Sequence, residues 1–335
     1  MVSGTCRPFT RALRRVPGIV VGTLTPTRTQ VTALGSVPDE PDPAGLCWEI
    51  GSITKVFTGL LLADMSRHSA VSLDDPIGRH LPEEVTARLP APELQPTLAH
   101  LATHTSGLPR LPLAIYRRVR DGDDPYSGLT EQEVFACLGP TTRRPRHPAM
   151  RYSNFGMGLL GHLLSRAAGR PYAELVTERL LSPLGMKATG IGDCGEGSAP
   201  VAGYRHGRPT PPWTFGALQG AGALRSTVAD LLTFARACID PPTDSLADVL
   251  ALARQPFHRG RLPSAAMGLG WMLRTRHRRG PAGVAWHNGG TYGASSFVAV
   301  DPARGIAVVA VGNAGPRLIP PLDRPAWAVF ESLSE

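Results

Sequence analysis

Ser52 and Lys55, a hydroxyl and an amine three residues apart, open the stretch Glu49-Ile-Gly-Ser-Ile-Thr-Lys-Val-Phe-Thr-Gly-Leu-Leu-Leu-Ala-Asp-Met65. Val56, Phe57, Leu60, Leu61 and Met65 recur at helical spacing, so the pattern predicts a buried helix that begins at Ser52 and carries Lys55 one turn along the same face. A serine alcohol is a poor nucleophile in water. A lysine beside it becomes a useful base only where burial or a neighbouring cation keeps it neutral. The helix N-terminus supplies that bias and aims backbone N–H groups at a developing oxyanion. Taken alone, Ser52 reads more readily as a plain N-cap and Lys55 as a solvated first-turn residue. Composition weighs against that: only Lys55 and Lys187 are lysines, and 33 of the 35 basic residues are arginine. A chain that uses arginine for fixed charge has kept, here, a side chain able to accept a proton.

Two more stretches could meet this pair. In Arg151-Tyr-Ser-Asn-Phe-Gly-Met-Gly-Leu-Leu-Gly-His-Leu-Leu-Ser165 the apolar half reads as a helix, with Tyr152 and Asn154 just ahead of it on a loop or cap. A phenol there could share a proton with Ser52 or Lys55, and an amide could hold a substrate carbonyl; packing and capping are the plainer roles. In Ala285-Trp-His-Asn-Gly-Gly-Thr-Tyr-Gly293, at a strand end, two glycines after His287 let a substrate lie against bare backbone, and an N–H of this edge could face the one on Ser52. A simple β-turn is the alternative. His100 and His104 stand at i, i+4, a metal-like spacing. With no carboxylate or third histidine beside them, hydrogen-bonded structural histidines are the expectation.

The elements that must position these groups follow from periodicity. Gly18 to Leu24 and Gln30 to Leu34 read as strands, and a Pro-rich loop leads to the Ser52 helix. Leu98 to Pro109 reads as a short helix with a Gly/Pro stop. Residues 110–150 read as an irregular basic lid or surface crossing. Tyr172 to Leu181 and Thr227 to Ala237 read as helices, and Pro321 to Leu333 as a closing helix. Gly270 to Leu273, Val284 to His287, Ser295 to Val300 and Ile306 to Val311 read as strands, with an Arg-rich turn before Gly280. Strands at both ends with helices between predict an α/β (α+β) fold, an antiparallel sheet flanked by helices and completed by the two chain ends. The expected organisation is a single catalytic domain over 1–335. Its sheet-containing part is 1–70 plus 235–335, and 71–234 is a mainly helical insertion.

At 335 residues and 42% hydrophobic, the chain can bury a large core. The net charge of +8 gathers partly in Arg143-Arg-Pro-Arg-His147 and Arg274-Thr-Arg-His-Arg-Arg279. No nucleic-acid motif or aromatic platform accompanies them, so solvated loops are expected, with steering of an acidic substrate group by the first cluster kept as an alternative. Cys6, Cys47, Cys137, Cys194 and Cys238 are odd in number and scattered, and read as reduced thiols of a cytoplasmic protein. Val16 to Leu24 is short and broken by Pro17 and Gly18, and reads as a first strand rather than an export signal; no stretch is long enough to span a membrane.

Together, Ser52-x-x-Lys55, Tyr152-x-Asn154 and His287-x-Gly289 resemble the motif set of the serine β-lactamase and penicillin-binding-protein superfamily. The likeness is greatest to the branch of class C β-lactamases, D-alanyl-D-alanine carboxypeptidases and family VIII esterases. Leu73-Asp-Asp-Pro76, Leu101-Ala-Thr-His-Thr-Ser-Gly-Leu-Pro109, Leu181-Ser-Pro-Leu-Gly-Met186 and Gly222-Ala-Leu-Arg-Ser-Thr-Val-Ala-Asp230 look similar too. The resemblance runs from about Gly18 to about Gly312. It implies a β-lactamase/transpeptidase-like fold and an acyl-enzyme on Ser52, with Lys55 and Tyr152 sharing the proton. Ser52 and Gly290 N–H groups would form the oxyanion hole, and Asn154, His287, Gly289, Gly290 and Thr291 would bind substrate. No metal or cofactor is implied, and no nucleic acid or membrane partner; the substrate would be a small-molecule ester, amide or lactam, its acyl group passing to water or another acceptor. The Lys-Thr-Gly usual in β-lactamases of this group is replaced by His287-Asn288-Gly289, closer to the His-Thr-Gly of some carboxypeptidases and to esterase variants. The lysine that would bind a β-lactam carboxylate is therefore missing. The leading expectation is an intracellular serine hydrolase or acyltransferase. A β-lactamase or D-alanyl-D-alanine peptidase is the alternative, and a penicillin sensor that acylates without turnover is the alternative of another class.

Overall fold

In a computed structural model, residues 7–39, 42–118, 124–195, 200–259, 265–275, 282–316 and 320–333 are described. The strands are β1 Gly18–Leu24, β2 Thr29–Gly35, β3 Trp48–Glu49, β4 Gly190–Ile191, β5 Gly203–Arg205, β6 Arg208–Thr210, β7 Leu224–Ser226, β8 His258–Arg259, β9 Ala265–Met267, β10 Met272–Thr275, β11 Ala282–Gly290, β12 Ser295–Asp301 and β13 Ile306–Gly312. Eight of them form one sheet in the order β2-β1-β13-β12-β11-β10-β9-β8. Every pairing in it is antiparallel, and Val20 stands opposite Val311 where the N-terminal strand meets the C-terminal one. The expected sheet built from both chain ends is present.

Its central strands β1, β12 and β13 are buried along their whole length because both faces are covered. Val20, Val298, Val300, Val309 and Val311 point into the larger core, while Ile19, Val21, Phe297, Ala299 and Val308 point to the other face. This two-residue alternation assigns each side chain to a layer. The Val228–Ile239 helix lies on the first face. The helical turns at Arg7–Arg14 and the closing helix Asp323–Ser332 lie on the second, with Phe9, Val329 and Phe330 buried against it.

Between β2 and β8 the chain is mostly helical. Gly51–Ile53 is a 3₁₀ turn that runs into α1, Thr54–Arg67, whose residues from Thr54 through Met65 are all buried. A helix apolar on every side belongs inside a large core. Tyr172–Val176 passes into a π-helical turn at Thr177–Leu181, so the segment expected as one helix changes its winding midway. Among its described residues the 110–150 crossing holds two short helices, Leu113–Arg118 and Glu131–Ala136, the latter started by a Thr130–Glu133 capping box. The Asp244–Ala253 helix and the small sheet β3-β7-β4 were not expected; two- and three-residue strands carry too little alternation to read. The Arg-rich turn before Gly280 lies outside the described residues.

The reading of all five cysteines as reduced thiols is corrected: Cys47 and Cys194 form a disulfide across 147 residues of sequence. Odd number and wide spacing gave no hint of it. Cys47 precedes β3 and Cys194 follows β4, and both strands flank β7, which brings the two Cα atoms to 5.7 Å. Cys137 and Cys238 are free thiols. Among the described residues no helix is long and apolar enough to cross a membrane.

Candidate active site

Ser52 lies in the 3₁₀ turn ahead of α1, and Lys55 is the second residue of that helix. Gly51 holds a φ of 49°, which turns the chain from β3 into the helix. Lys55 is fully buried, and its Nζ sits 2.9 Å from Ser52 Oγ and 2.5 Å from the Ala221 carbonyl oxygen, to which it donates. Burial, and secondly the charge of Arg110, push its pKa well below the ordinary lysine value. A carbonyl and a serine oxygen offer no full countercharge, so the amine is favoured over the ammonium.

Tyr152 lies beside Ser52, whose side chain favours the ionised phenol. Burial raises its pKa to about 12, against the lowering effects of Ser52 and of Arg110. Burial thus biases Lys55 toward its neutral amine while it keeps the Tyr152 phenol protonated. The Tyr152 ring is enclosed: Lys55 Nζ lies 5.1 Å and the Arg110 guanidinium 5.2 Å from its centroid, with the His104 ring at 4.4 Å and the His287 ring at 6.2 Å.

The helix Asn154–Ala168 is capped by Ser153, whose Oγ accepts from Gly156 N at 2.8 Å and donates to Pro109 O at 2.6 Å. Asn154 is thereby the first helical residue rather than the cap, and its amide is left for other work. Its Nδ2 donates to the Tyr126 hydroxyl at 2.8 Å, while its buried Oδ1 has no partner. Tyr126 stacks on Phe215 and packs beside Trp213, which meets Tyr292 edge-on at 4.8 Å. These rings form an aromatic wall from Asn154 to the turn after β11.

β11 brings the third stretch to the same place. A Cβ added at Gly51 would lie 2.7 Å from Gly290 N, and one at Gly289 would lie 2.0 Å from Ile50 O. Only hydrogen at these positions lets the β11 end abut the Ser52 turn, setting the Gly290 backbone against that of Ser52. His287 is fully buried, with Nδ1 2.5 Å from Asn288 O and Nε2 unpartnered. Burial first, and Lys55 second, lower its pKa to about 3, so it is a neutral imidazole. Thr291 is buried. Its hydroxyl donates to Glu49 Oε2 at 3.0 Å and accepts from Gly293 N at 3.3 Å and Ala294 N at 3.1 Å. That uses its whole hydrogen-bonding capacity and gives the side chain to the turn rather than to a substrate.

His100 and His104 do not act as an i, i+4 pair. His100 closes a capping box with Thr97, and His104 Nδ1 accepts from Ser153 N at 3.1 Å. His104 has a φ of 58°, a buried Nε2 without a partner, and a pKa held well below the usual histidine value by burial and then by Lys55. Arg143, Arg144, Arg146 and His147 are exposed, as a solvated loop requires.

Several neighbours were not legible in the sequence. Glu49 accepts from Trp213 N at 2.8 Å as well as from Thr291, and so ties β3, the aromatic wall and the β11 turn together. Burial raises its pKa, while those hydrogen bonds and Arg225 lower it. Arg110, Tyr126 and the Ala221 carbonyl likewise belong to unremarkable local sequence. Only the position of Glu49 three residues before Ser52 could have drawn attention to it.

The family model described as Beta-lactamase matches residues 9–328. D-alanyl-D-alanine-carboxypeptidase/endopeptidase AmpH of Escherichia coli (strain K12) is 28% identical over 285 residues, 80% of this chain and 71% of that protein. Unguisins hydrolase ungD' of Aspergillus campestris (strain IBT 28561) is 24% identical over 320 residues, 89% of this chain and 58% of that protein. A class C beta lactamase from Rhodobacter sphaeroides has the same fold, with a TM-score of 0.80 at 23% identity, covering 99% of both chains.

Proposed function

This chain belongs to the Beta-lactamase family, and from that premise we propose that it is a serine hydrolase that forms an acyl-enzyme on Ser52. The observation that carries the reading is the 2.9 Å separation of Ser52 Oγ from a fully buried Lys55 Nζ whose environment disfavours its charge. Lys55 takes the proton as Oγ attacks the acyl carbonyl. The oxyanion develops against the N–H groups of Ser52 and Gly290. Collapse of the tetrahedral adduct breaks the bond to the leaving group, which receives the proton through Tyr152. Water, or a small alcohol or amine, then attacks the acyl-enzyme, gives up its proton to Lys55 and restores Ser52. The unpartnered Asn154 Oδ1 and His287 Nε2 are the polar atoms we assign to substrate binding, with Gly289 as the bare backbone beneath it. Thr291 contributes by fixing the turn.

The substrate we propose is a small-molecule ester or amide. A neutral His287 supplies no charge for a β-lactam carboxylate, which argues against efficient penicillin turnover. The AmpH relative keeps a D-alanyl-D-alanine peptidase as the second reading. The expectation of a cytoplasmic location rested on reading Val16 to Leu24 as a strand rather than an export signal and on reduced cysteines, and the Cys47–Cys194 disulfide withdraws the second support.

Intact-mass spectrometry tests the proposal. The protein and its Ser52→Ala variant are mixed with a short-chain nitrophenyl ester and, separately, a penicillin while product is followed. The expected result is a Ser52-dependent adduct that turns over with the ester and not with penicillin. Turnover of penicillin would move the assignment to β-lactamase, a penicillin adduct lasting hours to a sensor, and the absence of any Ser52-dependent adduct would refute the mechanism.

A further inference from the structure

The aromatic wall ends at Tyr292, and a second cavity begins there. It has a volume of about 770 Å³, and its lining includes Arg14, Arg15, Arg205, His206, Tyr292 and Pro316. Three arginines and a histidine thus surround one space, and no Asp or Glu is among its described lining residues. Arg205 lies 3.6 Å from the centroid of the Tyr292 ring, a cation–π contact that holds its guanidinium at the cavity rim. Arg14 and Arg15, at the end of the first helical turn, are exposed and face the same space.

This cavity adjoins the proposed catalytic cleft. Pro316 is close enough to Gly290 that a Cβ there would lie 2.7 Å from its ring, and Tyr292 is two residues beyond Gly290. Two extended residues span about 7 Å, so a charge in the cavity stands within the reach of a small substrate whose carbonyl sits against Gly290. Inside the cleft Lys55 and His287 are both held toward neutrality by burial, and Arg110, 5.2 Å from the Tyr152 ring centroid, is the cation beside them. The arginines of the cavity offer a second, separate place for an anionic group.

We propose that this basic cavity binds an anionic end of the substrate, a carboxylate-class group separated from the scissile carbonyl by a linker of several atoms. The proposal rests on the acyl-enzyme reading above and narrows its substrate class to anionic esters or amides. Carboxylates on the acyl side and on the leaving-group side share this chemistry, and the assay separates them.

The test compares wild type with Arg14→Glu/Arg15→Glu, a surface double variant outside the catalytic machinery. Three substrates are used: the nitrophenyl half-ester of adipic acid, the neutral nitrophenyl hexanoate, and the hexanoate ester of a carboxylated nitrophenol. The expected result is at least a tenfold preference in kcat/KM for one of the anionic esters over the neutral one. The charge reversal and 0.5 M salt should each abolish that preference, with the neutral ester changed less than twofold by the reversal. The anionic ester that is favoured identifies the side on which the charge lies. Equal rates for all three esters, or a preference that survives charge reversal, overturns the proposal. Calorimetry of adipate with Ser52→Ala, with and without the double reversal, reads binding without turnover. Adipate binding lost on reversal upholds the cavity even if the acyl-enzyme reading fails, and binding that is absent or insensitive to reversal overturns it.

Discussion

Replacing Cys47 and Cys194 by alanine should destabilise the fold by removing the cross-link between them. The bond closes 147 residues, so in the chain-entropy description it removes about 17 cal/mol/K from the unfolded ensemble, or about 5 kcal/mol at 25 °C. Both residues are almost wholly buried, Cys47 at 3% and Cys194 at 1% exposure, so reductant acts on the opened chain rather than on the folded surface. With a urea m-value of about 3 kcal/mol/M, the midpoint of Cys47→Ala/Cys194→Ala should fall by about 1.7 M. Wild type unfolded in the presence of a phosphine reductant should fall by a similar amount, while Cys137→Ala should stay near wild type. Equilibrium unfolding followed by both tryptophan fluorescence and circular dichroism reads the shift. Identical wild-type midpoints with and without reductant would refute the cross-link and return these residues to the reduced state.

Gly289→Ala should lower kcat/KM at least tenfold and cost about 2–3 kcal/mol, because its Cβ would lie 2.0 Å from Ile50 O and force β11 away from the Ser52 turn; ester kinetics with urea unfolding checks both. The rate of acylation should rise with pH through a single ionisation below the ordinary lysine value, since Lys55 must be neutral, and show no descending limb by pH 9, since Tyr152 titrates only near pH 12. Lys55→Arg should abolish acylation over the whole profile, because a guanidinium accepts no proton. Glu49→Gln should lower kcat by roughly 5- to 30-fold, the equivalent of 1–2 kcal/mol, with KM little changed, as the Thr291 hydrogen bond is lost and the oxyanion edge loosens. His287 is charged in the unfolded chain below about pH 6.5 but remains neutral in the folded one down to about pH 3. Stability should therefore fall as pH drops through that window, accompanied by proton uptake on unfolding.

The sequence by itself determined the elements that depend on neighbours along the chain. The apolar runs of β1, β12 and β13 and the helical spacing of Val56, Phe57, Leu60, Leu61 and Met65 in α1 could be read because both are set by residues adjacent along the chain. Ser52 and Lys55 were legible together because one helical turn joins them, and Gly289 and Gly290 because bare backbone is itself a sequence feature. The cap at Ser153 was misplaced onto Asn154, a one-residue ambiguity that only the Gly156 and Pro109 hydrogen bonds resolve. Tertiary structure alone decided the rest. The Glu49–Thr291 bond spans 242 residues, the Lys55–Ala221 bond 166 and the Cys47–Cys194 bridge 147. Partners so far apart leave no periodic trace, since nothing in the local backbone obliges one to follow from the other. Burial of Lys55, which biases it toward the neutral amine, likewise exists only once the sheet, α1 and the Ala221 loop have closed around it.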